Sequence, residues 1–484
     1  MEQLSGLDAL FLHAEMHGMP MHFSTLSVYD PTSSPGGKIE FRQILELFEK
    51  NIQLNLPLLR CRLMEVPLNL DQPYWIEDQN FDLVYHIRHI ALPKPGNWQK
   101  LCSLTANLHA QPLNRGRPLW EAYIIDGLDN IENIPSGCFA ILLKVHYSMM
   151  NGRIGMAVFN SLHTLASGEN YIAKNFNSAG EDERFISQEH DVNMPRMLAK
   201  ATINNIYRSG NLLRMMGRAI GLYGEVRKSL EAHKLKQLQK IKTRFNGQIS
   251  PRRVVDRVRL SLVDINFIKL NIQDQATSDI ALAIISGAMR RYLLSKEELP
   301  EDSLVAAMPI HTHGKISIAN ISLRTDIAKP LDRLKHVHKE SLAGKAYSHT
   351  LGNDIVNEAM DNLYSGLVAW GVKAAVDSGL LEKFPPANNT IITEIASALE
   401  PLFLCGSRLI DSFGMGPLIP NTGLFHAVSS TNEFLNIAFT ADRQKMDDPD
   451  FYAQCLQESF CELMDAVKSE MNKRAKVELD KAAI

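Results

Sequence analysis

Residues 141–156 read ILLKVHYSMMNGRIGM, and the reading of this stretch decides the fold. The run that leads into it, from Cys138 to Val145, is almost wholly apolar and has the length of a buried strand. The run ends in His146, four residues follow, and Asn151-Gly152 then opens a helix expected from about Arg153 to Leu165. An imidazole at such a strand-to-helix junction is suited to proton transfer, because its pKa lies near neutrality. Tyr147 comes next, and a phenol with an ordinary pKa of about 10 is a poor base. On extended chain, neighbouring side chains point to opposite faces, so His146 and Tyr147 do not stand in for one another. Asn151 offers hydrogen bonds without charge, and Gly152 suits a tight turn into the helix.

Outward from this stretch the text alternates between helical and strand-like periods. FRQILELFEKNIQLNLPLLRCRL has helical spacing and stops near Pro57, FDLVYHIRHIAL alternates as a half-buried strand, and NWQKLCSLTANLHAQPL reads as a helix. LWEAYIIDGL is a strand with a turn. Residues 167–189 are polar and read as a linker. From Pro195 to Phe245 the pattern is helical and strongly basic: Arg196, Lys200, Arg208, Arg214, Arg218, Arg227, Lys228, Lys234, Lys236, Lys240, Lys242 and Arg244 face only Glu225 and Glu231. A second domain opens near Ser250 with strand-like RVVDRVRLSL, helix-like SDIALAIISGAMRRYLLS and strand-like LVAAMPI, and the chain closes on a helical PDFYAQCLQESFCELMDAVKSEMN. The expectation is a mixed α/β fold with domains at 1–190 and 250–484, joined by a basic helical connector at 191–249.

At 484 residues, the chain exceeds one ordinary core. Its 45% hydrophobic and 22% charged residues mark a folded globular protein. A net charge of −3 gives no pull toward nucleic acid, which is not expected as a partner. Six scattered cysteines without metal spacing suit a reducing compartment. Without a secretory leader or an 18-residue apolar run, a cytoplasmic protein is expected. The basic connector is either a solvated face packed on the domains or a helix lying on a membrane or lipid-droplet surface, on the inner face of the membrane. His311, His313, His336 and His338 recur in HTH and HVH pairs, but nothing completes a ligand set, so no metal is expected. Neither a P-loop nor a Gly-x-Ser-x-Gly elbow occurs at a strand–helix junction. Asp8 and His22 are read either as lining a cleft or as a helix cap and a surface histidine.

The blocks LSGLDALFLHAEMHGMPMH, FDLVYHIRHIALPKPG, HAQPLNRGRPLWEAYIIDGL with Pro118, Leu119 and Trp120, FNGQISPRR, EPLFLCGSRL and FTADRQKMDDPDF stand in an order that resembles the bacterial wax ester synthase/diacylglycerol acyltransferase family. The resemblance implies two chloramphenicol-acetyltransferase-like (CoA-dependent acyltransferase) domains with an inter-domain tunnel. It implies transfer of a long-chain acyl group from acyl-CoA, a substrate, to diacylglycerol or a long-chain alcohol, with no cofactor. The family motif His-His-x-x-x-Asp-Gly falls on His146, Tyr147, Asn151 and Gly152. In that motif the second histidine is the general base and the aspartate a brace, so both roles fall on altered residues here.

Other motifs are altered too. An Asn-Asp pair reads Ser278-Asp279, an Asn-Val-Pro-Gly-Pro motif falls on Glu394 to Ala398, and a Leu-Asn-Ile-Thr block reads LFHAVSS with Phe425 at the asparagine. The residues singled out are therefore His146 and Tyr147 for catalysis, with Asn151, Gly152, Pro118, Leu119, Trp120 and Asp279 as structural parts of the motifs. Two readings stay open: an O-acyltransferase with a non-standard site, and a catalytically silent homologue that binds acyl chains, membrane or an active paralogue.

Overall fold

The computed structural model describes residues 2–482 except 16–18, 150–153, 167, 169–194, 196, 209–210, 212–240, 313–314, 351–361, 364, 380–382, 396–399 and 432. Asn151 and Gly152, nearly all of the expected linker and most of the basic connector lie outside the described residues.

The described residues form two six-stranded sheets and a small third one. The first sheet has β2 (His22–Asp30), β5 (Ile87–Ala91), β6 (Trp120–Asp126), β7 (Phe139–His146), β12 (Phe403–Leu404) and β13 (Ser407–Met415), in the order β12-β13-β2-β7-β6-β5. The second has β8 (Arg253–Ser261), β9 (Val305–Thr312), β10 (Lys315–Ser322), β11 (Thr390–Glu394), β14 (Leu424–Ser430) and β15 (Phe434–Asp442), in the order β10-β9-β11-β14-β15-β8. The third sheet joins β1 (Glu2–Gln3), β4 (Tyr74–Glu77) and β3 (Cys61–Met64). The helices are α1 (Gly6–Ala14), α2 (Phe41–Leu54), α3 (Trp98–Ala110), α4 (Ile154–Ser161), α5 (197–208), α6 (Leu262–Asn271), α7 (Thr277–Ser295), α8 (Pro330–Thr350), α9 (Ser365–Asp377) and α10 (Pro449–Ala482).

All eight residues of β7 are buried, as its unbroken apolar run requires of a central strand covered on both faces. Alternation divides it. Ile141, Leu143 and Val145 enter a core with Phe48 of α2 and Trp120, whereas Ala140 and Leu142 enter a second core with Val255, Phe413, Phe425 and Ala427. That second core draws on both halves of the chain. The halves are also joined by backbone, because β13 pairs antiparallel with β2 from Arg408↔Asp30 to Met415↔Ser24. In the second half, α7 is buried along nearly its whole length, with Ile280, Ile284, Met289 and Leu293 in the core that β8, β15 and α10 complete.

Two elements differ from the sequence expectation. FDLVYHIRHIAL is a helical turn followed by a strand: the Asp82 carboxylate accepts the Val84 N–H at 3.0 Å, caps Leu83–His86, and β5 starts only at Ile87. The helix expected to reach Leu165 stops at Ser161, because Thr164 exchanges backbone hydrogen bonds with Phe403 at 2.8 and 2.9 Å. That bridge ties the end of α4 to the returning C-terminal strands.

Candidate active site

His146 is the last residue of β7 and its side chain is fully buried. Its backbone N–H donates to Leu119 O at 3.0 Å, and in register it faces His22 on β2. The Pro118-Leu119-Trp120 block thus works from beneath. Leu119 and Trp120 are fully buried, Trp120 Nε1 donates to Leu59 O at 2.8 Å, and its ring stacks between Phe48 (6.1 Å) and His86 (4.6 Å). Together these contacts fix the strand that carries the histidine.

The imidazole has a defined tautomer. The Ser148 backbone N–H donates to Nδ1 at 3.0 Å, and a backbone N–H has no other role to play, so Nδ1 is unprotonated. Ser148 Oγ lies 2.7 Å from the same nitrogen. Burial, and then the charge of Arg115, push the His146 pKa down to about 3, so the ring is neutral and its proton sits on Nε2. Among the described residues that N–H has no hydrogen-bond partner, and the nearest carboxylate oxygen of an ion pair, Glu15 Oε1, is 3.8 Å away. Glu15 is itself held: Oε1 accepts the Met21 N–H at 3.3 Å, and Oε2 accepts Nε and Nη2 of Arg115 at 3.1 and 3.0 Å. In this arrangement His146 presents a proton at Nε2 and has its lone pair occupied. It is a donor, not a base.

Tyr147 leaves the strand into a short 3-10 turn with Ser148 and Met149, and its N–H donates to Met21 O at 2.9 Å. Its ring turns away from His146 into an aromatic cluster, 5.1 Å from Phe11 and 6.4 Å from Phe23. Burial raises the phenol pKa above its ordinary value, and among the described residues no cation lowers it. The phenolate that could accept a proton is therefore scarcer at neutral pH than it would be in water.

A polar row that sequence reading missed runs along the same face of β2 and β7. Lys144 is wholly buried in the strand, donating to Leu108 O (3.1 Å) and Gln111 O (2.8 Å) with Glu121 Oε2 at 3.4 Å, and burial lowers its pKa. His109 of α3 takes Ser24 Oγ at Nδ1 (2.8 Å) and meets Gly416 O through Nε2 at 3.1 Å, while its backbone O meets His22 Nε2 at 2.5 Å. Thus His22 is no surface residue; it is fully buried. A lysine inside an otherwise apolar strand was the visible signal, but its carbonyl partners come from 33 to 36 residues away. Asp8 sits in the first turn of α1, bonded to the Ser5 N-cap through its N–H (3.1 Å) and its carboxylate (2.7 Å), so it supports the helix start that Ser5 caps.

Parts of the altered motifs of the second half can be placed. Asp279 accepts the Ala276 N–H at 3.1 Å at the start of α7, and its other partner is His338 Nδ1 at 2.8 Å. His338 is thereby paired with a helix-capping carboxylate, and among the described residues no group of three His, Cys, Asp or Glu could hold a metal. Phe425 is buried between the halves, with its ring over Gly416. A Cβ on Gly416 would lie 2.2–2.5 Å from the ring carbons, so glycine is what allows that contact. A bulky apolar ring thus occupies the place of the motif asparagine, beside the carbonyl that holds His109. Of the Glu394–Ala398 stretch, only Glu394 and Ile395 are described.

The profile of the wax ester synthase/diacylglycerol acyltransferase catalytic domain matches residues 4–273, and that of the family's C-terminal domain matches residues 314–464. A putative diacylglycerol O-acyltransferase of Mycobacterium tuberculosis (strain ATCC 25618 / H37Rv) is 27% identical over 458 residues, 91% of this chain and 86% of the relative. Another from the same strain is 26% identical over 486 residues, covering 96% and 100%. Among solved structures, the wax ester synthase/diacylglycerol acyltransferase from Marinobacter aquaeolei VT8 superposes with a TM-score of 0.65 at 21% identity, covering 96% of this chain and 100% of that one. The starter condensation domain of rhizomide synthetase in complex with C8-CoA and Leu-SNAC gives 0.52 at 11% identity, covering 96% and 94%. These likenesses establish the two-domain α/β acyltransferase fold.

Proposed function

Because the chain belongs to the wax ester synthase/diacylglycerol acyltransferase family, we propose that it transfers long-chain acyl groups from acyl-CoA to diacylglycerol or a long-chain alcohol, at a site whose weak base holds turnover low. Family membership and the shared fold support the acyltransferase part. The choice of donor and acceptor rests on what the relatives are named for. In such a transfer the acceptor hydroxyl attacks the thioester carbonyl, its proton passes to a base, and the thiolate leaves and is reprotonated as free CoA. A positioned base contributes about 10²–10⁴-fold. The observation that carries the slow rate is the Ser148 N–H on His146 Nδ1, which leaves that ring without a free lone pair while Tyr147 is partly buried among aromatics. The division into 1–190, 191–249 and 250–484 and a cytoplasmic, peripheral position on the inner face of the membrane belong to the same proposal. Among the described residues, no helix is long and apolar enough to cross a membrane.

The same observation favours a second reading, a silent homologue that binds acyl chains, membrane or an active paralogue. Release of CoA from long-chain acyl-CoA with hexadecanol or diacylglycerol separates the two. Slow, acceptor-dependent release that survives Tyr147→Phe supports the transferase. Release that is no faster than without protein, while acyl-CoA still binds, supports the silent homologue.

A further inference from the structure

We propose that α9, the turn at Pro67–Leu70 and α5 together form a membrane-docking surface, which sets Leu68, Leu367, Trp370, Ile206 and Tyr207 into the interfacial layer of an anionic bilayer. This deepens the peripheral-membrane reading above and rests on it only for the class of partner, since that reading placed attachment in the charges of the connector.

Both helices carry large apolar side chains on their outward sides. In water the polar side of a surface helix faces out. On α5 the inward side carries Met197 and Ala201 with Asn204, Asn205 and Arg208, and the outward side carries Ile203, Ile206 and Tyr207 at 53%, 69% and 72% exposure. On α9, Ser365 is buried, while Leu367 (64%) and Trp370 (72%) face out, with open space around Gly371 one turn on. The turn between them presents Leu68 at 89% exposure. Leu68 also has a φ of 58°, a left-handed conformation unfavourable for a leucine, so the backbone holds it outward against local preference.

These pieces adjoin one another because α5 is bonded to the turn and α9 packs against it. Asn205 Nδ2 donates to Leu70 O at 2.8 Å, Asn204 Nδ2 to the Asp71 carboxylate at 2.8 Å, and Arg208 pairs with that carboxylate. From the other side, Gly366 packs on the turn so closely that a Cβ there would lie 3.2 Å from Asn69 O. Contiguous apolar patches of this kind mark interaction sites.

Charge selects the occupant. Residues 195–208 carry Arg196 and Lys200 besides the Arg208 that Asp71 neutralises, and no acid; α9 adds exposed Lys373 against Asp377 at its far end, and the connector that follows α5 is basic in sequence. Two such surfaces on two copies of the chain repel, whereas anionic headgroups attract both. Tryptophan and tyrosine, apolar in body and polar at the tip, suit the headgroup boundary.

The test is flotation of the full chain with phosphatidylcholine vesicles with and without phosphatidylglycerol, for wild type, Leu367→Ser/Trp370→Ser and Ile206→Ser/Tyr207→Ser. Because these side chains face solvent, both variants should keep the wild-type thermal midpoint. We expect each to bind the anionic vesicles about tenfold or more weakly, roughly 1.4 kcal/mol per factor of ten. Trp370 should report directly: of the four tryptophans it is the one with most of its ring in water, and its emission should shift to the blue on binding, a shift lost in Trp370→Phe. If the variants float as wild type does and only salt releases them, charge alone attaches the chain, and this surface is refuted while the peripheral reading stands. If wild type binds neither vesicle, both fall. A dimer of the free protein that Leu367→Ser/Trp370→Ser dissolves would assign the surface to a second copy and overturn the proposal.

Discussion

Lowering the pH from 7.5 to 5.5 should cost this protein a large part of its folding stability, through histidines that are buried neutral. Burial holds His109, His146 and His426 at about 3 and His163 at about 4, all below the ordinary value near 6.5. The unfolded chain therefore takes up protons at these sites as the pH passes below 6.5, while the folded chain does not. Stability is complete above that value and lost as pH falls from about 6.5 toward 3–4. At pH 5.5 each group contributes RT ln(1 + 10), about 1.4 kcal/mol, so the four together cost roughly 5 kcal/mol. Asp256 and Glu394 act in the opposite sense, since burial raises their pKa values, but they are two groups against four rings. Against a typical net stability of about 5–15 kcal/mol, the loss should be plain. Urea unfolding at the two pH values, followed by circular dichroism, measures it. His426→Gln, which removes a titrating ring bonded to Thr390 and Tyr452 at 2.8 Å each, should flatten the pH dependence by about 1.4 kcal/mol. A flat stability between pH 7.5 and 5.5 would show that these rings titrate normally and would refute the packing described for them.

Lys144→Met should destabilise the fold by about 3–5 kcal/mol in urea unfolding, because it leaves Glu121 buried beside a lost cation and strips two carbonyls of their donor. Gly416→Ala should cost about 1–3 kcal/mol through overpacking against Phe425, and Phe425→Leu in the same chain should recover part of that loss. Tyr147→Phe should leave the pH profile and rate of CoA release near wild type, since it removes only a phenol that stays protonated.

How much of this was legible in the sequence depends on how local the cause was. The unbroken run of β7 and the period of α7 specify their elements from neighbouring residues alone, and both stand where the text placed them. Pro118, Leu119 and Trp120 stood out as a block, and the structure supplies its reason in the Leu119 O to His146 N–H bond. The errors lie where distant segments decide. Nothing near Thr164 announces that its backbone will pair with Phe403, and nothing near His22 announces that it faces His146 across a strand pair. The tautomer of His146 was invisible for the same reason that Glu15 was: both depend on where a turn and a loop bring their atoms.

The claim that the site lacks a working base is tested most directly by restoring one. Single-turnover release of CoA from a long-chain acyl-CoA should be measured for wild type and for Tyr147→His with Asn151→Asp. The account predicts a slow wild type and a repaired enzyme faster by about tenfold to a hundredfold, short of the full 10²–10⁴-fold of a positioned base, because the ring would sit among Phe11 and Phe23 and opposite the altered second half. A wild type that already turns over at an ordinary enzymatic rate, on the order of 10 s⁻¹, and that the repair slows, would contradict it.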